Sequence, residues 1–487
     1  MAAQAAVKSM DGEHLMQKLA FGLLLTALGS VASAQDSTHL DWLNANYEQT
    51  AQTARSLWEF AEVGYQETRS SELLQDQLAA AGFTVESGVA DIPTAFVATY
   101  GDGGPVLAIL GEFDALPGIT QDSVPTRSLI EEKAAGHACG HNLFGAGSAA
   151  AAIAVKEWLV STGTPGTIRF YGTPAEEGGS GKVYMVRAGL FDDVDFALHW
   201  HPSDRNSAAA RTTLANRSAK FRFRGVSAHA AGAPERGRSA LDGVESMNYM
   251  VNMMREHVPQ QTRIHYVITA GGNAPNVVPD YAEVFYYLRH PHARTVRSLW
   301  ERLEAAARGA AEGTGTEMEM EIIHGNHPVL VNETLQKMMD ATLRDIGGIE
   351  YNEEEQRFAE TIYQSFDDPS LNLGSQDEIQ PYSVSLGYGS TDVGDVSIAV
   401  PTVGASIAGY VPGTAGHSWQ AVAAAGTSVG FQGAHLAAKA LSSAAVRIYT
   451  DKALRDAARA EFEERRGGDL EYEALLGDRT PALNYRK

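Results

Sequence analysis

The chain has 487 residues, 44% apolar and 20% charged, an ordinary globular composition with length for two or three domains. Its 60 acidic against 38 basic residues give a formal charge of −22, which argues against nucleic acid and anionic membrane surfaces as partners. An anionic substrate must therefore find a local basic group, and the single cysteine excludes an intramolecular disulfide.

Leu19 to Val31 is a short apolar run after Lys18, and Ala32-Ser33-Ala34 before Gln35 matches a small-residue cleavage pattern. Residues 1–34 thus read as a Sec-type signal peptide cleaved after Ala34. No later run is read as a membrane span, so a soluble periplasmic or secreted protein is expected.

From Leu40 to about Gly82, apolar positions such as Leu57, Phe60, Leu73, Leu74 and Leu78 recur at helical spacing. Strands are expected at Thr94 to Tyr100 and Val106 to Leu110. The second runs into Gly111-Glu112-Phe113-Asp114, two carboxylates at a strand's C-terminal edge, where sites form in open α/β sheets. Gly136-His137-Ala138-Cys139-Gly140-His141-Asn142 follows, ahead of an Ala- and Gly-rich buried helix, Leu143 to Leu159. A thiolate and an imidazole two residues apart on a turn entering a helix can be aimed at one point, which suits a borderline-soft divalent metal. The competing reading is a buried cysteine that only packs.

Strand Thr167 to Tyr171 then leads into Thr173-Pro174-Ala175-Glu176-Glu177-Gly178-Gly179, helix Lys182 to Ala188 follows, and strand Phe196 to Trp200 closes in His199-Trp200-His201-Pro202. Alternating strand and helix predicts a three-layer α/β domain, its first part at 35–216. Residues 217–325 change pattern: strand Ala219 to Gly225, helix Ser239 to Glu256, strands Arg263 to Ala270 and Ala282 to Leu288, helix Val296 to Ala310, strand Glu317 to Ile323. That βαββαβ order is ferredoxin-like, an inserted domain. The first domain resumes at 326–445, with the site-like pieces Gly389-Ser390-Thr391-Asp392-Val393-Gly394-Asp395 and Gly413-Thr414-Ala415-Gly416-His417-Ser418. Residues 446–487 form a charged tail, read as a solvated helix and loop.

The conjunction of Cys139-Gly140-His141, Glu176-Glu177, a His at a strand end, an insertion containing Ser227-Ala228-His229-Ala230-Ala231 and the late Gly416-His417 resembles the dinuclear metallopeptidase and amidohydrolase superfamily of aminoacylases, hippuricases and glutamate carboxypeptidases. Pro174-Ala175-Glu176-Glu177-Gly178-Gly179-Ser180-Gly181-Lys182, Trp200-His201-Pro202 and Gly416-His417-Ser418-Trp419 are most similar to its aminobenzoyl-glutamate hydrolase B-subunit type, from about Leu40 into the tail.

The resemblance implies a zinc-peptidase-like catalytic domain with an inserted dimerisation or lid domain, two divalent ions per subunit (Zn, Mn or Co), and a homodimer. It implies that Cys139 bridges the ions, with His141, Glu177, His417 and a strand-end His completing the ligands. Both His199 and His201 remain open for that last place, His201 being the closer match to the Trp-His-Pro form. Glu176 is implied as general base and acid, Asp114 as the acid that orients the ligands, and Asp392 and Asp395 as similar supports or loop caps. His229 is implied to stabilise the oxyanion in a partner's site, and Asn276 and Arg289 to hold a substrate carboxylate. His137 and the histidines at 257, 265, 290, 292 and 324 receive no role. The implied activity is hydrolysis of the amide of N-acyl or N-aroyl amino acids, with a dipeptidase or carboxypeptidase as alternative and a non-catalytic binder of amino-acid conjugates as a remoter one.

Overall fold

The computed structural model describes residues 37–467 and 471–486; the expected signal peptide lies outside the described residues. The described residues begin with three helices: α1 (Thr38–Ala45), α2 (Tyr47–Phe60) and α3 (Thr68–Ala80). Strands β1 (Thr84–Ser87), β2 (Phe96–Asp102) and β3 (Val106–Gly111) follow, then α4 (His141–Thr162), β4 (Gly166–Gly172), α5 (Gly181–Arg187) and β5 (Phe196–Ser203). Along β3, Leu107 and Ile109 enter one core while Ala108 and Leu110 enter another, the two-faced alternation of a strand buried on both sides.

The second sheet is built from β6 (Ala215–Arg224), α6 (Ala240–Met254), β7 (Arg263–Ala270), β8 (Tyr281–His290), α7 (Ala293–Thr314) and β9 (Glu317–Asn326). Its strand order is β7-β8-β6-β9, antiparallel throughout, with its own core around Phe221, Tyr286, Trp300 and Leu303. The chain then returns through α8 (Glu333–Ile346), α9 (Glu353–Tyr363), α10 (Val393–Ala399), β10 (Thr402–Ala408), α11 (Trp419–Ala425), α12 (Ser428–Thr450) and α13 (Lys452–Arg466).

The first sheet runs β1-β2-β4-β3-β5-β10. Strands β4, β3, β5 and β10 are parallel, and β1 and β2 form an antiparallel edge. One face carries α4 and α12, the other α5 and α10, which makes three layers. The fold is thus the expected α/β architecture with a ferredoxin-like insertion.

Helix α4 has the length and apolarity of a membrane span, although the sequence pattern alone suggested no such run; in the fold it lies inside the core, beside α1, α2 and α12. The tail also differs from its expected solvated form. Ala458 and Phe462 of α13 are buried, and so are Ala474, Leu475 and Leu476 beyond it, because a few apolar side chains among the charges are enough to dock it. His327 Nε2 donates to the Glu473 carbonyl, and Tyr472 Oη donates to Asp395 Oδ1 at 2.8 Å.

Candidate active site

The parallel strands deliver their C-terminal ends to one place. Beyond β3 come Glu112 and Asp114; beyond β4, Glu176 and Glu177; at the end of β5, His199 and His201; beyond β10, His417. The Cys139 turn enters α4 through Gly140, whose φ of 71° is open to glycine and strained for other residues. His137 shapes that turn from beneath: its Nδ1 accepts the Asn142 N–H at 3.2 Å and its Nε2 meets the Leu57 carbonyl at 3.0 Å. Burial pushes His137 down to about 3, consistent with a neutral structural imidazole. The His417 backbone N–H closes on the Ala138 carbonyl at 2.9 Å, tying the two loops together.

Three groups of donor atoms converge, each within 4.8 Å: Cys139, His141 and His201; Cys139, Glu177 and His417; and Glu112, His141 and Glu176. Cys139 is common to the first two. His201 Nε2 lies 3.4 Å from Cys139 Sγ, and His417 Nε2 lies 3.2 Å from Glu177 Oε1. His201 Nδ1 faces the Pro202 carbonyl at 2.7 Å, and His141 Nδ1 faces Asp114 Oδ1 at 3.0 Å and the Asp114 carbonyl at 3.1 Å. Facing only acceptors, each Nδ1 carries the proton, which leaves both Nε2 lone pairs aimed inward. Asp114 Oδ2 also accepts the Glu177 N–H at 3.0 Å, so one carboxylate orients both residues.

These residues fit a divalent ion. Glu112 Oε2, His141 Nε2 and Glu177 Oε1 are buried without a hydrogen-bond partner among the described residues. Glu112 Oε2 and His141 Nε2 approach to 3.0 Å without hydrogen-bond alignment, as two donors to a common centre would. A thiolate, imidazoles and carboxylates together suit Zn²⁺ or a neighbouring first-row metal. Burial, reinforced by Glu112 and Glu177, holds the Glu176 carboxyl well above its usual range. Burial likewise pushes the Cys139 thiol up.

His199 is outside all three donor groups. It shares a strand face with His201, and burial pushes it down to about 4. Sequence patterning overlooked Lys182, fully buried, whose ammonium bridges Glu112 Oε1 and Asp392 Oδ1. Asp392 Oδ2 also accepts the Lys182 N–H at 2.9 Å, while Asp395 instead holds the His327 N–H at 2.8 Å.

A cavity of about 840 Å³ opens over the donors, with Arg211, Arg289, His324 and Arg486 among its lining residues. Arg289 Nε is buried and unpartnered among the described residues, its guanidinium 5.3 Å from the Tyr287 ring. His229 and Asn276 do not reach this cavity. They sit together on the exposed end of the insertion, where His229 bridges to Val277 and the Asn276 carbonyl accepts the Ala230 N–H at 3.0 Å.

Comparison with known proteins places this constellation in a lineage. Residues 108–366 match the model of peptidase family M20/M25/M40. The B subunit of the p-aminobenzoyl-glutamate hydrolase of Escherichia coli (strain K12) is 40% identical over 453 residues, 87% of this chain and 94% of that protein. The Xaa-Arg dipeptidase of Mus musculus is 30% identical over 431 residues, 85% of this chain and 89% of that protein. Among solved structures, a dinuclear metal-binding peptidase of the M20 family from Bacillus subtilis superposes with a TM-score of 0.51 at 17% identity, covering 81% of this chain and 98% of that one. The chain belongs to peptidase family M20/M25/M40 and is a metal-dependent hydrolase of amide bonds.

Proposed function

We propose that the chain cleaves the amide bond of N-acyl or N-aroyl amino acids, aminobenzoyl-glutamate-like conjugates among them. The observation that carries this reading is the sharing of Cys139 between two donor groups beneath a cavity lined by arginines. Cys139, with His141, His201, Glu177 and His417 around it, would hold a pair of divalent ions, Zn, Mn or Co. When bound, such ions supply Lewis acidity that favours ionisation of water and polarises a carbonyl. Glu176, lining the cavity, accepts the proton of the attacking water and returns it to the departing amine nitrogen. Arg289 pairs with the substrate carboxylate, the local basic group that so acidic a chain requires.

His229 and Asn276 enter the site of a second copy, so the active form is a homodimer. Val267 and Ile268 on edge strand β7 support this: both are strongly exposed, at 55% and 41%, on a strand with one free side. His229 Nδ1 accepts the Ala231 and Gly232 N–H groups at 3.2 and 3.0 Å, which puts the proton of a neutral ring on Nε2, ready to donate to an oxyanion. The signal-peptide pattern of residues 1–34 favours a periplasmic or secreted location.

A dipeptidase is the second reading, supported by the mouse relative. Arg211 and Arg289 at one cavity favour an anionic substrate over one with a basic side chain. The test is a hydrolysis screen of metal-reconstituted protein against N-acyl amino acids, aminobenzoyl-glutamate and dipeptides. Replacing Glu176 with Gln should abolish turnover while leaving metal content near normal; unchanged turnover overturns the assignment.

A further inference from the structure

The turn carrying Glu176 and Glu177 is conformationally demanding. Ala175 and Ser180 take φ of 58° and 62° without being glycine, and Gly178 takes 92°. Such backbone persists only when its surroundings over-determine it. On one side the restraints come from near the site: Glu67 Oε1 accepts the Ala175 N–H at 2.9 Å, Asp114 the Glu177 N–H at 3.0 Å, and Tyr65 Oη donates to the Gly179 carbonyl at 2.6 Å.

On the other side they come from the far end of the chain. Tyr485 Oη donates to the Glu177 carbonyl at 3.1 Å, and Arg486 Nη2 donates to the same oxygen at 2.6 Å. The Arg486 guanidinium lies 4.9 Å from the Tyr485 ring centre, and that ring meets Tyr65 edge-on at 5.6 Å. Gln66 Nε2 donates to the Leu483 carbonyl at 2.7 Å. Gly64 makes room for this arrangement, since a Cβ there would collide with Tyr485 Oη and crowd Ala175. Farther back, Arg187 donates to the Gly477 and Arg479 carbonyls, and buried Leu475 and Leu476 anchor the strand of chain.

We propose that the segment 471–486 is a strap that completes the active site, Tyr485 and Arg486 acting as positioning residues that fix the Glu177 carbonyl and so the aim of the Glu176 and Glu177 carboxylates. This rests on the hydrolase reading above. The Glu177 backbone is held on both sides, its N–H by Asp114 and its carbonyl by the strap. Freeing the carbonyl lets the turn relax out of its left-handed residues and spreads the carboxylates over several positions. The loss then falls on turnover and metal affinity, not on folding, because the apolar anchors of the strap stay in place.

The test compares full-length wild type with a Tyr485→Phe/Arg486→Leu double variant, which removes both donors and keeps the aromatic contact with Tyr65, and with Arg486→Lys, which keeps a donor. For the double variant, kcat and the affinity of metal-free protein for Zn²⁺, read by chelator competition, each fall by about tenfold or more, the usual cost of losing a partner that orients a ligand. KM stays within about twofold while kcat falls, the pattern of a lost transition-state interaction. The melting temperature moves by no more than roughly 2 °C, and Arg486→Lys retains most of both activity and affinity. Wild-type kcat and zinc affinity in the double variant overturn the strap, as does an equal loss in Arg486→Lys. Failure of the wild type to hydrolyse any amide counts against the hydrolase reading instead, and the zinc arm then still decides on the strap.

Discussion

Lys182 Nζ lies 2.7 Å from Glu112 Oε1, and both side chains are sealed from solvent. Burial opposes the lysine's charge, but Asp392 and Glu112 outweigh it and hold the ammonium above its ordinary range. Burial raises Glu112, and Lys182 with His141 more than reverses that, so the carboxylate stays ionised. Lys182→Met leaves two buried carboxylates facing each other without a counter-charge, an expected loss of about 3–5 kcal/mol. Urea unfolding measures it. Adding Asp392→Asn to Lys182→Met should recover part of the loss, because the neutral amide removes one of the stranded charges.

Metal content should separate His201 from His199. Only His201 joins Cys139 and His141 in a donor group. His201→Ala is expected to lose an ion on dialysis and to lower kcat/KM by about 100-fold or more, whereas His199→Ala keeps both ions. Elemental analysis of the dialysed proteins, beside turnover, checks both halves.

What was legible in the sequence was what lies close together in it. Cys139-Gly140-His141 and Glu176-Glu177 are short turns whose residue types announce chemistry, and the βαββαβ order follows from hydrophobic period alone. The strand-end histidine stayed ambiguous because residues two apart share a face, and only the end of β5 beside Pro202 decides which ring meets Cys139. The Glu112–Lys182–Asp392 cluster was invisible, since its members come from three separate stretches of the chain and nothing periodic links them. Tyr485 and Arg486 were hidden in the same way, joining a turn 308 and 309 residues away from within a segment whose charge suggested solvent.

His324 is expected to lower the stability of the fold in acid. Asn216 Nδ2 donates to His324 Nδ1 at 2.8 Å, a bond that needs that nitrogen unprotonated. Burial, with Arg289 nearby, pushes the ring down to about 4. In the unfolded chain the ring titrates near 6.5, so between about 6.5 and 4 the unfolded state binds more protons and stability falls as pH falls, by roughly 3 kcal/mol at most. Urea midpoints measured on both sides of that window should therefore drop on the acid side, and His324→Gln, which keeps a carbonyl acceptor for Asn216, should flatten the drop. An unchanged acid slope in the variant assigns the effect elsewhere.

His229 is exposed on the insertion and absent from the cavity of its own chain. If a partner copy delivers it, Glu176→Gln and His229→Ala are each inactive as homodimers but complement one another. A mixed dimer has one site with both an intact Glu176 and an intact His229 arriving from the other chain. Random reassortment makes half the dimers mixed, so an equimolar co-expressed mixture recovers about a quarter of wild-type turnover per chain. Charging the exposed edge of β7 with Val267→Lys/Ile268→Lys should give monomers by light scattering and abolish turnover, even though every residue lining the cavity is retained. Full activity in such a monomer, or no recovery in a mixture that light scattering shows to be dimeric, places the oxyanion donor within a single chain.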